Sequence, residues 1–139
     1  MIIGYADIVG DLFHYNHITF LKNCKEYCDY LIVGVCSDEF CKDYKRIPIL
    51  NEQERLLSVK YCKFVDDCFI INCDKQKLDK EFMELHKIDK VFHAHDINEH
   101  EQYKHFYLYP IKTNRFIRLE YNEGISTSKL IDKIKNNNY

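Results

Sequence analysis

A continuous apolar run at residues 30–36, Tyr-Leu-Ile-Val-Gly-Val-Cys, limits the folds open to this chain. A strand with one face in water alternates apolar and polar side chains, whereas a strand covered on both faces of a parallel sheet does not. Parallel strands are joined by crossovers of a dozen or more residues, usually helices. The run therefore predicts βαβ units.

The rest of the chain alternates between apolar runs and helical periodicity, as such units require. Strands are predicted at 2–6, 30–36, 68–71, 91–93 and 116–119. Helices are predicted over about 16–28, from Ser37 or Asp38, from Asn51, over 74–86, and from Ser126 or Thr127. Residues 98–109 favour neither pattern, although a short helix is possible. The alternation predicts an α/β fold, namely a Rossmann-like, doubly wound, parallel five-stranded sheet with helices on both faces.

Three helix starts carry capping signals, at Ser37 or Asp38, at Asn51, and at Ser126 or Thr127. Asn51 precedes Glu54 by three residues, which is the spacing of a capping box. The final helix is expected to turn Leu130, Ile131 and Ile134 inward. We expect one domain over residues 1–135, followed by a loose tail at 136–139.

Composition narrows the class of protein. The chain has 139 residues and a formal net charge of −2, which argues against a general nucleic-acid binder. No apolar run approaches the ~18–20 residues of a membrane span, and the start lacks the pattern of a signal peptide. The seven cysteines are odd in number and lie mostly in apolar stretches, so we expect reduced, mostly buried thiols. These features predict a cytoplasmic protein with neither a nucleic-acid nor a membrane partner.

Residues 7–17, Asp-Ile-Val-Gly-Asp-Leu-Phe-His-Tyr-Asn-His, follow the first strand and lead into a helix. Free backbone N–H groups and the helix dipole attract anions at such a helix start. His14 and His17 lie there, three residues apart, and can hold a phosphate. In doubly wound sheets ligands bind beyond the carboxyl ends of the strands. We expect His14, His17, Asp96 and the segment after Leu119 to meet at that edge.

Several motifs resemble those of the choline- and ethanolamine-phosphate cytidylyltransferases. They are Tyr5-Ala6-Asp7 with Asp11-Leu12-Phe13-His14-x-x-His17, the strand 31–39, Asn51 to Arg55, the segment 63–67, His93 to Ile97, and Glu123 to Ser128. Their order and spacing match the family over about residues 2–134. Glycerol-3-phosphate cytidylyltransferases are similar in the same motifs.

The resemblance implies transfer of CMP from CTP to phosphoethanolamine or phosphocholine, with Mg²⁺ bound to CTP and not by protein ligands alone. It assigns catalysis to His14, His17 and Lys45, and the alcohol and its phosphate to Asp7, Lys45, Arg55 and Asp96. Arg55 is expected either to orient phosphate or to brace the loop. Nucleotide contacts are assigned to Val9, Gly10, Asp11, His17, Gly124, Ile125, Ser126 and Thr127. The segment 63–67 implies a homodimer.

The chain also departs from the family pattern. Ile8 and Asn16 stand where relatives carry glycine, Gly10 replaces a phenylalanine, and Tyr121 replaces an arginine. Arg115 or Arg118 is the candidate to supply the missing phosphate charge. These departures keep open a non-catalytic nucleotide-binding homologue, beside glycerol 3-phosphate as an alternative acceptor.

Two further patterns occur between residues 93 and 109. His93, His95, His100 and His105 could suggest a zinc site, but their spacing fits no helix-face pair and they have no cysteine partner, so we do not expect one. The aromatic residues between 103 and 109 are typical of a core or an interface, or of an aromatic wall for a quaternary ammonium.

Overall fold

The computed structural model describes residues 1–94, 104–120, 122–137 and 139. It contains five parallel strands: β1 (Ile3–Ile8), β2 (Tyr30–Cys36), β3 (Asp67–Ile71), β4 (Lys90–Ala94) and β5 (Phe116–Leu119). The helices are α1 (Tyr15–Lys25), α2 (Asp38–Tyr44), α3 (Glu52–Lys60), α4 (Lys80–Leu85), α5 (Leu108–Lys112) and α6 (Thr127–Lys135), with a 3₁₀ turn at Lys104–Tyr107. Residues 98–109, for which the sequence favours neither a strand nor a helix, are described from residue 104 onward, where they form this turn and the start of α5.

The strand order is β3-β2-β1-β4-β5, and every neighbouring pair is parallel. The direction of winding reverses between β1 and β4, which is the switch point where doubly wound sheets bind ligands. The predicted fold class is confirmed.

The core has two halves because successive residues of a buried strand face opposite sides. On one side Tyr5 and Ile32 pack with Phe82 and Met83 of α4. On the other side the next residues in β1 and β2 pack with Leu21 and Cys24 of α1 and Val59 of α3. Helices therefore cover both faces, as the unbroken apolar strands predicted.

The helix predicted over 74–86 is wrong in its first half. The Asn72 side chain accepts hydrogen bonds from the backbone N–H groups of Asp74 and Lys75, and this closes a turn. α4 begins only after Asp79, whose carboxylate accepts the N–H of Phe82. Local side-chain bonds compete here with the helix.

Two other expectations concern burial. Ile134, predicted to face inward, is 60% exposed. All seven cysteines lie in the described part of the chain and are free; three are buried and four are half-buried. Among the helices that the structure describes, none is long and apolar enough to cross a membrane.

Candidate active site

The turn after β1 is built around a buried carboxylate. Gly10 (φ +68°) and Leu12 (φ +50°) adopt left-handed conformations that reverse the chain. Between them Asp11 is 2% exposed and accepts hydrogen bonds from the backbone N–H groups of Leu12 (3.1 Å), Ile49 (2.8 Å) and Leu50 (2.9 Å). The Asp11 side chain, predicted to contact nucleotide, therefore holds the turn against the loop before α3.

His14 and His17 form a capping box at the start of α1. The Nδ1 atom of His17 accepts the N–H of His14 (3.0 Å), and the Nδ1 atom of His14 accepts the N–H of Asn16 (3.3 Å). Because both Nδ1 atoms are acceptors, each neutral ring carries its proton on Nε2. The two ring centroids are 3.9 Å apart. The turn thus offers two neighbouring imidazole N–H donors.

Burial sets the charge of these rings. It lowers the pKa of His17 to about 4, with a further contribution from His14 and an opposing one from Asp11. Burial also lowers the pKa of His14. Both imidazoles are therefore neutral donors near pH 7 in the free protein.

The start of α6 lies directly against this turn. Ser126 caps the helix by accepting the N–H of Lys129 (3.1 Å). The Thr127 hydroxyl donates to the backbone carbonyl of Asp11 (2.8 Å) and lies 3.4 Å from Nε2 of His14. The N-terminus of α6 and the histidine pair therefore form one anion-attracting surface.

Cations reach this surface from the end of α2. Lys45 lines both the main cavity and a recess of about 200 Å³ next to it. Arg46 lines the recess and donates from Nη1 to the Ser128 hydroxyl (3.2 Å). The family resemblance assigns a catalytic role to Lys45, whereas Arg46 was missed as a site residue. Its contact with α6 spans the chain, so no local pattern shows it.

Arg55 lies beneath the site. It is 0% exposed, and its guanidinium donates to the carbonyls of Leu50 (3.0 Å), Val9 (2.8 Å) and Cys36 (2.7 Å). It also pairs with Asp38 (2.7 Å). Arg55 is absent from the described walls of the cavity and the recess. Of the two expected roles, these contacts favour bracing and leave no described path to a phosphate.

The other end of the cavity surrounds Asp7. The Tyr107 hydroxyl donates to Asp7 (3.1 Å) and lies 2.8 Å from Nδ1 of His93. A hydroxyl has a single proton, so His93 must be the donor to Tyr107 when Tyr107 donates to Asp7. Burial raises the pKa of Asp7 to about 6, against a lowering by Tyr107. Asp7 is therefore mainly ionised at pH 7.

Aromatic side chains complete this end. Phe106, Tyr107 and Tyr109 line the cavity, in agreement with the aromatic-wall alternative. Tyr5 also lines it; its hydroxyl is buried and has no hydrogen-bond partner among the described residues. Tyr5 was missed as a site residue because an aromatic residue inside a strand reads as core.

One cavity of about 950 Å³ joins these parts at the carboxyl ends of β1 and β4. The structure brings together Asp7, Val9, His14, His17, Lys45, Ile125, Ser126 and Thr127 in its wall. Gly10 and Gly124 lie in the adjoining turns, and Gly124 has φ +113°. Asp96 and Tyr121, and with them His95 and His100, lie outside the described residues.

The phosphate role expected of Arg115 and Arg118 is not supported. Arg115 directly precedes β5 and donates to the carbonyl of Ile88, before β4. It therefore lies at the amino ends of the parallel strands, opposite the cavity. Arg118 lies within β5 beside His93 and is not part of the described cavity wall. Within the described residues, no three His, Cys, Asp or Glu side chains could hold a metal together, zinc included.

A five-stranded parallel sheet in this strand order, with helices on both faces, is the α/β nucleotidyltransferase-like fold. Solved structures agree: a lipopolysaccharide core biosynthesis protein from Thermoplasma volcanium matches with a TM-score of 0.66 at 23% identity, over 91% of this chain and 99% of that one. Pantothenate synthetase from Thermus thermophilus matches with a TM-score of 0.63 at 10% identity, over 94% and 61%.

Sequence comparison is more specific. The cytidylyltransferase-like family model matches residues 10–133, and the chain belongs to that family. Human choline-phosphate cytidylyltransferase A is 37% identical over 138 residues, covering 94% of this chain and 35% of the relative. Ethanolamine-phosphate cytidylyltransferase of Dictyostelium discoideum is 32% identical over 130 residues, covering 94% and 36%. The chain thus spans about a third of the length of these curated relatives.

Proposed function

We propose that this chain transfers CMP from CTP to a phosphorylated amino alcohol, phosphoethanolamine or phosphocholine. The observation that carries the proposal is the shared surface of His14, His17 and the start of α6, at one end of a cavity whose other end holds Asp7. A volume of about 950 Å³ is at the upper end for small-molecule sites and accommodates a nucleotide beside an acceptor. The names of the relatives point to the same reaction.

In this reaction a phosphate oxygen of the acceptor attacks the α-phosphorus of CTP. A P–O bond forms at the α-phosphorus, and the bond from this phosphorus to the oxygen that bridges the α- and β-phosphates breaks. Pyrophosphate leaves with the electron pair. The protein has to align the groups and stabilise negative charge on the phosphoryl oxygens. The Nε2–H groups of His14 and His17 and the ammonium of Lys45 would supply this stabilisation.

The triphosphate would extend along the turn and the start of α6. Backbone groups of Val9, Gly10, Gly124 and Ile125 border it, and the N–H groups at Ser126 and Thr127 suit the β- and γ-phosphates. Mg²⁺ would arrive with CTP and offset phosphate charge. The Asp11 carboxylate is already occupied by three backbone donors, so phosphates and water would supply the metal ligands.

The cationic end of the acceptor would lie at Asp7. A half-buried, ionised carboxylate beside aromatic rings suits an ammonium group and stabilises a neutral polyol less. This is why we prefer an amino alcohol to glycerol 3-phosphate. Asp96, which lies outside the described residues, remains a proposed partner of the acceptor.

The proposal includes a homodimer formed through residues 63–67 and a reducing, cytoplasmic location, which the free thiols suit. Phe64 and Val65 pack partly against the chain's own core, and Asp66 accepts the N–H of Leu31 (2.8 Å). The exposed side chains of Lys63 and Asp67 are left to meet a second copy. Light scattering after gel filtration measures the mass.

The test is pyrophosphate release from CTP with ethanolamine phosphate, choline phosphate or glycerol 3-phosphate. We expect turnover with one of the first two, and a loss of about 10²–10³ in kcat for His17→Ala. Lys22→Ala, an exposed change on the same helix, is the control. Preference for glycerol 3-phosphate would contradict the acceptor assignment. No turnover, with CTP still raising the melting temperature, would identify a nucleotide-binding homologue instead.

A further inference from the structure

The carboxamide of Asn16 links the start of α1, where His14 and His17 lie, to the segment before α6, residues 122–125. Its Nδ2 atom donates to the carbonyls of Ile125 (2.5 Å) and Asn122 (3.2 Å). Its Oδ1 atom accepts from Nδ2 of Asn122 (2.9 Å). Three hydrogen bonds thus join positions that are more than a hundred residues apart along the chain, and we call them the Asn16 clasp.

The helix that follows this segment has little packing to hold it. None of the nine residues of α6, all of them described, is buried. The segment itself turns at Gly124, where φ is +113° and where a Cβ atom would meet, among the described residues, only the Tyr15 hydroxyl, at 3.7 Å. Glycine allows the chain to sample many conformations at such a point. Hydrogen bonds therefore contribute strongly to fixing where α6 begins, beside the partial burial of Leu130 and Ile131.

Besides the clasp, three described hydrogen-bond contacts tie the start of α6 to other elements. The Thr127 hydroxyl donates to the carbonyl of Asp11 and lies 3.4 Å from Nε2 of His14, and Arg46 donates to the hydroxyl of Ser128. All three involve residues after the cap, on the helix itself. Among the described residues, the Asn16 clasp is thus the side-chain interaction that holds the segment before the cap, through its hydrogen bond to the carbonyl of Ile125.

Asn16 also acts on the histidine pair through its backbone. Its N–H donates to Nδ1 of His14 and so orients that imidazole. Asn16 therefore fixes the orientation of the His14 ring and also holds the segment 122–125. Asn16, Asn122 and Ile125 all line the cavity.

We propose that Asn16 is a positioning residue for the nucleotide. Its carboxamide holds residues 122–125 so that the N–H groups of α6 face the histidine pair before CTP arrives, which reduces the ordering cost of binding. The identity of the ligand as CTP rests on the proposed function. The ordering of the segment does not, because it is a property of the free protein.

The test combines hydrogen–deuterium exchange with CTP binding by calorimetry in wild type, Asn16→Ala, Asn122→Ala and the double variant. We expect Asn16→Ala to speed exchange within residues 122–128 in the free protein and to weaken CTP binding about three- to tenfold, because the segment must then be ordered when CTP binds. CTP should restore protection, and KM for the acceptor should stay within twofold. Asn136→Ala, at the other end of α6, is the matched control.

Non-additivity is the sharpest result. The double variant should bind CTP as Asn16→Ala does, because either change opens the Asn16–Asn122 pair. Unchanged exchange at 122–128, additive losses, or faster exchange spread through the whole protein would each overturn the positioning role. A wild type that binds CTP but turns over no acceptor would refute the transfer reaction, and the same exchange and binding data would still decide the role of Asn16.

Discussion

Arg55 provides a direct test of whether the site is braced from below. Its side chain is 0% exposed and donates to three backbone carbonyls, from the turn after β1, the end of β2 and the loop before α3. The fourth contact, with Asp38, involves a carboxylate that is 41% exposed, so solvent weakens it. The carbonyl bonds therefore carry most of the effect.

Two substitutions separate charge from geometry. Arg55→Ala leaves the carbonyls of Val9, Cys36 and Leu50 without this donor and creates a cavity, so we expect a loss of about 3–5 kcal/mol in the free energy of unfolding. That is a large part of a typical stability of ~5–15 kcal/mol. Arg55→Lys keeps the charge but cannot reproduce the planar fork of donors, and should cost about 1–3 kcal/mol.

The assay is urea unfolding followed by circular dichroism. Arg55→Lys should lower the midpoint by roughly 1 M without changing the m-value. Gln53→Ala, an exposed change on the same helix, should stay within about 0.5 kcal/mol of wild type. An Arg55→Lys variant as stable as wild type, but with a raised KM for CTP or for the acceptor, would refute bracing and restore the phosphate-contact role.

The remaining predictions concern protonation of His17 and Asp7. The pKa of His17 is lowered to about 4 in the folded protein, so between about pH 6.5 and 4 the unfolded chain binds a proton at His17 that the folded protein does not. The free energy of unfolding therefore falls as the pH drops from 6.5 to 4. His17→Gln should remove this loss in urea titrations. The pKa of Asp7 is raised to about 6, so between about pH 6 and 4 the folded protein binds a proton that the unfolded chain does not, and this offsets part of the loss of stability in acid. Asp7→Asn should therefore steepen that loss. An unchanged slope in either variant would contradict the corresponding pKa. Because the acceptor ammonium needs ionised Asp7, KM for ethanolamine phosphate should rise below pH 6 relative to KM for glycerol 3-phosphate, and a constant ratio of the two from pH 5 to 8 would count against the Asp7 assignment.

The sequence by itself determined the alternation of strands and helices. A strand buried on both faces of a parallel sheet appears in the sequence as an unbroken apolar run. A helix start appears as a residue whose side chain can accept the backbone N–H of the residue three positions later. Both signals are local in sequence. Thus β2 was predicted at its observed bounds, and the Asn51–Glu54 capping box forms as expected. The same local rule failed at residues 74–79, where Asn72 offered the backbone a competing turn.

Tertiary structure alone decided the partners of the polar side chains that bond to distant parts of the chain. Asp11 and Arg55 belong to motifs that suggested ligand contacts, yet both are buried against backbone groups distant in sequence. Only the strand direction shows that Arg115 lies at the amino ends of the strands, at the end of the sheet opposite the cavity. The partners of Asn16 lie more than a hundred residues away, and nothing in its own neighbourhood indicates them. Hydrogen bonds between distant segments depend on strand order and on where each loop is brought, so they appear only after the chain has folded.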